Sequence, residues 1–543
     1  MAEYNLADLF ELSVDAFPDR RALIFEEERF TYRGLDERMN RMAHHLESVG
    51  IGPGDHVGIY SLNNNQWIET MYACYKIRAV PVNINFRYVE AELLYLFDNA
   101  DLAALVYQRQ YADRIAVVAG DVPTLRHFVR IEDGTDVDDS KLGPVEYEEA
   151  LAAQSPERGF AERSPDDIYL LYTGGTTGMP KGVMWRQEDV FFALGGGHDP
   201  FTREPVRSPE ELSQKAAAAG EDAAVLMFPV PPLMHGAGQF GCFNAFHNGY
   251  AVLLIAGFDA EAVWRLVAKE RANTLSITGD AMARPLAETL ETLHDELDLS
   301  SLLTLNSTAA VFSPSIKEQL LELLPNAMIL DAVGSTEGGM NGMRIAEKGS
   351  KSEGGVTTVD PGPGSTVLDE DMKPVVPGSG TVGMLARSGN VPIGYYKDPE
   401  KTAATFPVVD GVRYSIPGDY ATIDDDGRIT LLGRGSVSIN TGGEKVYPEE
   451  VEAALKSHPD VFDVLVVGVP DERWGERVAA VVQARGDTHP SVGELGEHCR
   501  QHIAGYKVPR EVFYVDEVAR LPNGKPDYTW AKETAHRLVG VDA

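Results

Sequence analysis

From residue 22 to about 331, short apolar runs alternate with amphipathic stretches. The runs at 54–60, 79–83 and 103–107 read as strands, and helical periodicity fills 66–76 and 89–99 between them. Further strand-like runs at 168–172, 223–230, 250–255, 274–278 and 328–331 continue the pattern, with a helix predicted from about Gln187. Such alternation predicts α/β layers with largely parallel sheets. Beyond Val356 the helical periodicity fades, and Gly, Pro and Asp punctuate short strands. A β-rich subdomain is therefore expected from about 356 to 433. A small α+β unit follows, with a helix opening at Pro448, strands at 463–469 and 477–483, and a helix at 492–503. The stretch 198–222 is polar and rich in Pro, Glu and Ala, and reads as an inserted surface excursion. The fold class expected is α/β: a large N-terminal domain over 1–433 and a small, mobile α+β C-terminal domain over 434–543.

At 543 residues the chain exceeds what one core can bury, which supports that division. Its net charge of −35 argues against a nucleic-acid or anionic-membrane surface. Any phosphate-bearing ligand must find locally positive pockets in a repelling field. Cys74, Cys242 and Cys499 lie far apart without CxxC or metal-ligand spacing, and read as buried small residues in a reducing compartment. The opening Met1-Ala2-Glu3-Tyr4 lacks the basic region and apolar run of a signal peptide. No apolar segment approaches membrane-span length. A cytoplasmic protein without integral membrane association is expected.

The densest candidate chemistry is Tyr172-Thr173-Gly174-Gly175-Thr176-Thr177-Gly178-Met179-Pro180-Lys181-Gly182. Its glycines leave backbone N–H groups free to surround an anion, while the threonine hydroxyls and Lys181 add donors and one positive charge. It is not a Walker A loop, because no Gly precedes Lys181 and Gly182, rather than Ser or Thr, follows it. Val333-Gly334-Ser335-Thr336-Glu337-Gly338 follows an apolar strand, and a carboxylate there suits Mg²⁺ bridging phosphate oxygens. Asp419, in Ile416-Pro417-Gly418-Asp419, sits on a tight turn where it can accept from ribose hydroxyls or merely brace the turn. Gly433-Arg434-Gly435-Ser436 precedes a Gly-rich stretch around Gly442-Gly443, where a slender ligand can pass close to the backbone. Pro448 and the glutamates after it make an ordinary helix start. Lys525 follows Leu521-Pro522-Asn523-Gly524 on a turn. His235, in Pro232-Leu233-Met234-His235-Gly236-Ala237-Gly238, is either a core histidine or a pocket wall. Taken singly, each of these positions also has a purely structural reading.

In their order and spacing, the motifs resemble the adenylate-forming superfamily of acyl-CoA synthetases, luciferases and peptide-synthetase adenylation domains. The resemblance runs from Phe30-Thr31-Tyr32 to Lys525, and the run Gly442–Glu452 is particularly similar to bacterial acyl-CoA synthetases for fatty acids or steroid side-chain acids. It implies that Thr173, Gly174, Gly175, Thr176, Thr177, Gly178 and Lys181 hold the ATP phosphates. Glu337, with the hydroxyls of Thr177 and Thr336, would position Mg²⁺. Asp419 and Arg434 would grip the ribose, and Asp331 would accept from the adenine amine beside Val333, Gly334 and Ser335. His235 would border the acyl carboxylate, Gly443 the pantetheine tunnel, and Lys525 would bridge carboxylate and α-phosphate. Three positions depart from the family pattern: Gly174 replaces its usual Ser, Val333 its adenine-stacking aromatic, and Ser436 its usual hinge Asp or Lys.

The resemblance implies an AMP-forming acyl-CoA synthetase acting on a medium- or long-chain fatty acid or a steroid side-chain acid, with ATP, Mg²⁺ and CoA. An acyl-AMP ligase loading a carrier protein is the alternative, and a catalytically inactive nucleotide-binding regulator a third. A homodimer is one candidate assembly.

Overall fold

The strand His56–Tyr60 is buried at every residue and pairs in parallel with Val80–Asn83 on one side and Leu102–Gln108 on the other. Uninterrupted burial is what a parallel sheet covered on both faces demands. His127–Ile131 and Val145–Glu146 complete this five-stranded sheet, again in parallel. Its crossover helix Asn65–Lys76 starts where Asn64 accepts from the Trp67 N–H at 2.8 Å, and every residue but Gln66 is buried. Even Lys76 is enclosed, its ammonium neutralised by Glu11 and, at 2.7 Å, by Asp36.

These features come from a computed structural model, which describes residues 4–173, 179–199, 202, 204–220, 224–308, 310, 312–324, 326–348, 357–434, 437, 439–441, 444–471, 475–521 and 525–540, without side chains at 434, 440, 444, 445 and 475.

A second sheet of fifteen strands has a parallel half built from Arg21–Phe25, Ala251–Leu254, Leu226–Pro229, Thr274–Ile277, Thr304–Ser307 and Met328–Ser335. There the direction changes. Met328–Ser335 turns back as Gly339–Ala346, and the sheet runs on antiparallel through Thr358–Pro361, Ile429–Arg434, Asp419–Ile423 and Gly383–Ser388. Up to residue 331 the pairing is largely parallel, as expected; the connection 336–338 is too short for a crossover and can join only antiparallel strands, so the sheets of the whole fold are mixed.

The Gly/Thr-rich run also departs from a strand–loop–helix order. Lys181–Arg186 is itself a strand, antiparallel to Ile168–Thr173, with Thr173 opposite Lys181 and Gly394–Tyr395 along its outer edge. Nor is the stretch 198–222 only a surface excursion. It contains the helix Glu211–Ala219, whose Leu212 joins Val206 in the main core.

In the C-terminal part, a five-stranded sheet is centred on the long hairpin Val461–Asp471 and Gly475–Ala484, with Glu511–Val515 parallel to the latter. Helix Pro448–Lys456 covers one face with Val451 and Leu455, and Tyr528–Val539 the other with Ala531 and Ala535. The helix expected at 492–503 ends at Cys499. Of the glutamates after Pro448, Glu450 pairs with Lys507 at 2.6 Å and Glu452 accepts from the Val466 N–H at 2.9 Å. Among the described residues, no helix is long and apolar enough to cross a membrane.

Candidate active site

Thr336, Glu337 and Gly338 form the turn at which the large sheet reverses, and each of their carbonyls accepts from a side chain on a different strand. The Trp185 indole N–H donates to the Thr336 carbonyl at 3.0 Å, the Ser415 hydroxyl to that of Glu337 at 2.6 Å, and Arg387 Nη1 to that of Gly338 at 3.3 Å. Ser335 Oγ accepts from the Gly338 N–H at 2.9 Å. The turn is therefore held before any ligand arrives. Arg387 is buried, with Nε donating to the Pro363 carbonyl at 3.2 Å, and burial pushes its guanidinium down to about 10. Residue 339 must be glycine: its φ is +66°, and a Cβ there would sit 1.8 Å from Arg387 Nη1. The Glu337 carboxylate is fixed as well, its Oε1 accepting from the Tyr395 hydroxyl at 3.2 Å.

Lys181 approaches the same tyrosine from the other side. Its Nζ lies 6.0 Å from the Tyr395 ring centroid and pairs with the Asp398 carboxylate. Asp398 also caps the helix Pro399–Thr405, its Oδ1 accepting from the Lys401 N–H at 2.9 Å. The Lys181 ammonium beside it, with the Lys401 N–H, holds the carboxyl below the usual range. The short segment 395–398 thus touches both Lys181 and the Glu337 carboxylate.

The surroundings of His235 are built differently. His235 immediately precedes the helix Gly236–His247, and its Nε2 is enclosed without a hydrogen-bond partner among the described residues. Burial, with smaller contributions from the Lys525 and Arg87 charges, pushes its imidazole down to about 4, so it is neutral at pH 7. A cavity of about 20 Å³, room for about one water, lies against His235, Tyr88, Asn85 and Asn83. Asn83 staples its wall. Its Nδ2 donates to the carbonyls of Tyr172 at 2.8 Å and Met234 at 2.7 Å, and its Oδ1 accepts from the Tyr172 N–H at 2.8 Å.

The remaining sequence candidates fall into further groups. Asp419 and Arg434 are directly opposed on neighbouring strands. Asp331 is buried and paired with Lys317, so part of its accepting capacity is already used, and burial lifts it above the ordinary carboxylate value. Val333 packs on the β-rich core of Val359, Val367 and Leu385. Gly334 backs onto Gly339, whose carbonyl would lie 2.6 Å from an added Cβ. Gly174, Gly175, Thr176, Thr177, Gly178, Ser436 and Gly443 lie outside the described residues.

Asn83, Arg387, Tyr395 and Asp398 were not singled out from the sequence. Asp398-Pro399 alone carried a legible signal, a helix cap followed by an N1 proline.

The AMP-binding enzyme family matches residues 10–396, and the AMP-binding enzyme C-terminal domain matches 450–525. This chain belongs to the AMP-binding enzyme family. A Rhodococcus rhodochrous protein named 3-oxocholest-4-en-26-oate--CoA ligase is 53% identical over 97% of this chain and 95% of its own length. A Mycobacterium tuberculosis (strain ATCC 25618 / H37Rv) protein named medium/long-chain-fatty-acid--CoA/3-oxocholest-4-en-26-oate--CoA ligase is 54% identical over 97% of this chain and 96% of its own. Among solved structures, the anthranilate CoA ligase AuaEII in complex with anthranoyl-AMP superposes with a TM-score of 0.83, covering 100% of this chain and 99% of that one. At 22% identity that match speaks to the fold, an α/β architecture with a large N-terminal and a smaller C-terminal domain.

Proposed function

We propose that this chain is an AMP-forming acid–thiol ligase that activates a medium- or long-chain fatty acid or a steroid side-chain acid. ATP, CoA and the acid are its substrates, and acyl-CoA, AMP and pyrophosphate its products. The observation that carries the reading is the convergence on Tyr395 of Lys181 from the Gly/Thr-rich hairpin and Glu337 from a turn with every carbonyl occupied. Supporting it are the CoA-ligase names of relatives sharing more than half their residues with this chain.

In the first half-reaction a carboxylate oxygen attacks the α-phosphorus of ATP, forming acyl-AMP while pyrophosphate leaves. Residues 173–178 and Lys181 bind the polyphosphate. Asp419 and Arg434 hold the ribose, and Asp331, braced by Lys317, faces the adenine end with Val333, Gly334 and Ser335. A Mg²⁺ ion held largely by substrate phosphates needs one or two protein carboxylates, and Glu337, already immobilised, fits that demand with hydroxyls from Thr177 and Thr336. When bound, the ion supplies charge neutralisation at the phosphate oxygens. His235 is neutral, so it orients the acyl carboxylate rather than attracting it. Lys525 supplies the attraction, offsetting charge where carboxylate and α-phosphate meet.

In the second half-reaction the CoA thiol attacks the acyl carbon and AMP departs. Residues 434–543 swing about Ser436 between the steps, withdrawing Lys525 and opening the path past Gly443 for pantetheine. The enzyme works in the cytoplasm, where its three buried free thiols stay reduced. A homodimer is the assembly to test by sedimentation.

Pyrophosphate release measured over acids of graded length and ring content, with and without CoA, tests the reading. Medium- and long-chain or steroid side-chain acids should give pyrophosphate and, with CoA, the thioester, while acetate should give little. Acid-independent release, or ADP as product, would contradict it.

A further inference from the structure

The pair of Lys181 with Asp398 has no part in the chemistry just described. Its side chains are 43% and 28% exposed. A partly exposed ion pair of this kind is weak and easily exchanged. A polyphosphate carries several charges and outbids a single carboxylate for the same ammonium. Asp398 cannot retreat when that happens. Its Oδ1 is held by the Lys401 N–H and its carbonyl accepts from the Thr402 hydroxyl at 2.7 Å. Backbone pairing with Tyr395 fixes it further. Its two carboxylate oxygens have separate jobs, one capping the helix and the other engaging the lysine.

We infer that Asp398 is a resident anion of the phosphate site: it holds Lys181 in place before nucleotide binds, is displaced from it by polyphosphate, and by staying nearby as a fixed negative charge loosens the grip on departing pyrophosphate. This rests on reading Lys181 as the phosphate lysine. Asp398 is then a positioning residue, tuning how tightly Lys181 holds each phosphate ligand without touching the reacting atoms.

Asp398→Asn separates charge from structure, because asparagine caps a helix as well as aspartate does. Calorimetric titration with pyrophosphate, and with ATP in the absence of acid, reads affinity without turnover. The variant should melt like the parent and bind pyrophosphate about two- to fivefold more tightly at low ionic strength, the scale of a partly exposed charge. The gain should shrink as salt rises, which a purely structural change would not produce. Unchanged or weaker pyrophosphate binding overturns the inference. Lys181→Ala, titrated alongside, should weaken binding. If it does so while Asp398→Asn tightens nothing, the inference alone fails. If Lys181→Ala leaves affinity intact, the phosphate-lysine reading fails and the inference with it.

Discussion

Around Glu337, three consecutive carbonyls accept from Trp185, Ser415 and Arg387, and the carboxylate accepts from Tyr395. Around His235, the ring Nε2 accepts from nothing among the described residues, and burial lowers the basicity of the imidazole. The two regions control charge by opposite means. The first fixes dipoles and donors in advance, as the phosphate-binding role proposed for it requires. The second removes water, so that a single incoming ammonium counts for more. Loss of one polar group should therefore be costly around Glu337, and pH should act mainly through the enclosed histidine.

The largest effect expected is that of Glu337→Gln, which keeps volume and removes charge. Acid-dependent exchange of pyrophosphate into ATP should fall about 10²–10³-fold, the scale for one preorganised group. Near-normal exchange at saturating Mg²⁺ would remove Glu337 from the metal's partners.

Arg387→Met sharpens the contrast from the structural side. It leaves the Gly338 and Pro363 carbonyls without their donor, at a cost of about 1–3 kcal/mol for the buried Gly338 carbonyl. A lowered melting temperature together with weaker acyl-AMP formation is expected. Full activity in a destabilised protein would mean that the turn does not need this brace.

How far these two regions could be read from the chain depends on the reach of their interactions. The strands at 54–60 and 103–107 emerged where apolar runs predicted them, because burial on both faces is written locally. Glu337 and Lys181 carried local signals too, a carboxylate after an apolar strand and a lysine closing a Gly/Thr run. Tyr395 and Arg387 did not. Each matters through a partner dozens of residues or more away, Glu337 for one and Gly338 for the other. Asn83 gave no sign either, since its staple joins residues 172 and 234. The strand Lys181–Arg186 pairs along its whole length with the nearby Ile168–Thr173, but its sequence, with Lys181, Gly182 and Arg186, carries no continuous apolar run.

A smaller effect concerns acid stability. His45, His235 and His247 are each pushed down to about 4 by burial, against an ordinary 6.5. Their folded values lie below the unfolded one, so between these limits the unfolded chain binds more protons. Stability fully present above pH 6.5 is lost as pH falls toward 4. Replacing His235 with Gln should flatten the decline of melting temperature between pH 7 and 5 by the equivalent of about 1–2 kcal/mol. An unchanged slope would show that His235 is solvated after all.

One substitution asks whether Lys525 serves only the first half-reaction of the mechanism proposed above. Lys525→Ala should slow acyl-AMP formation in a single turnover by about 10²–10³-fold. Thioester formation from chemically supplied acyl-AMP and CoA should stay near the parent rate, because the proposed swing of the C-terminal domain would by then have carried residue 525 away. Proportional loss of both half-reactions, or loss of neither, would contradict the account.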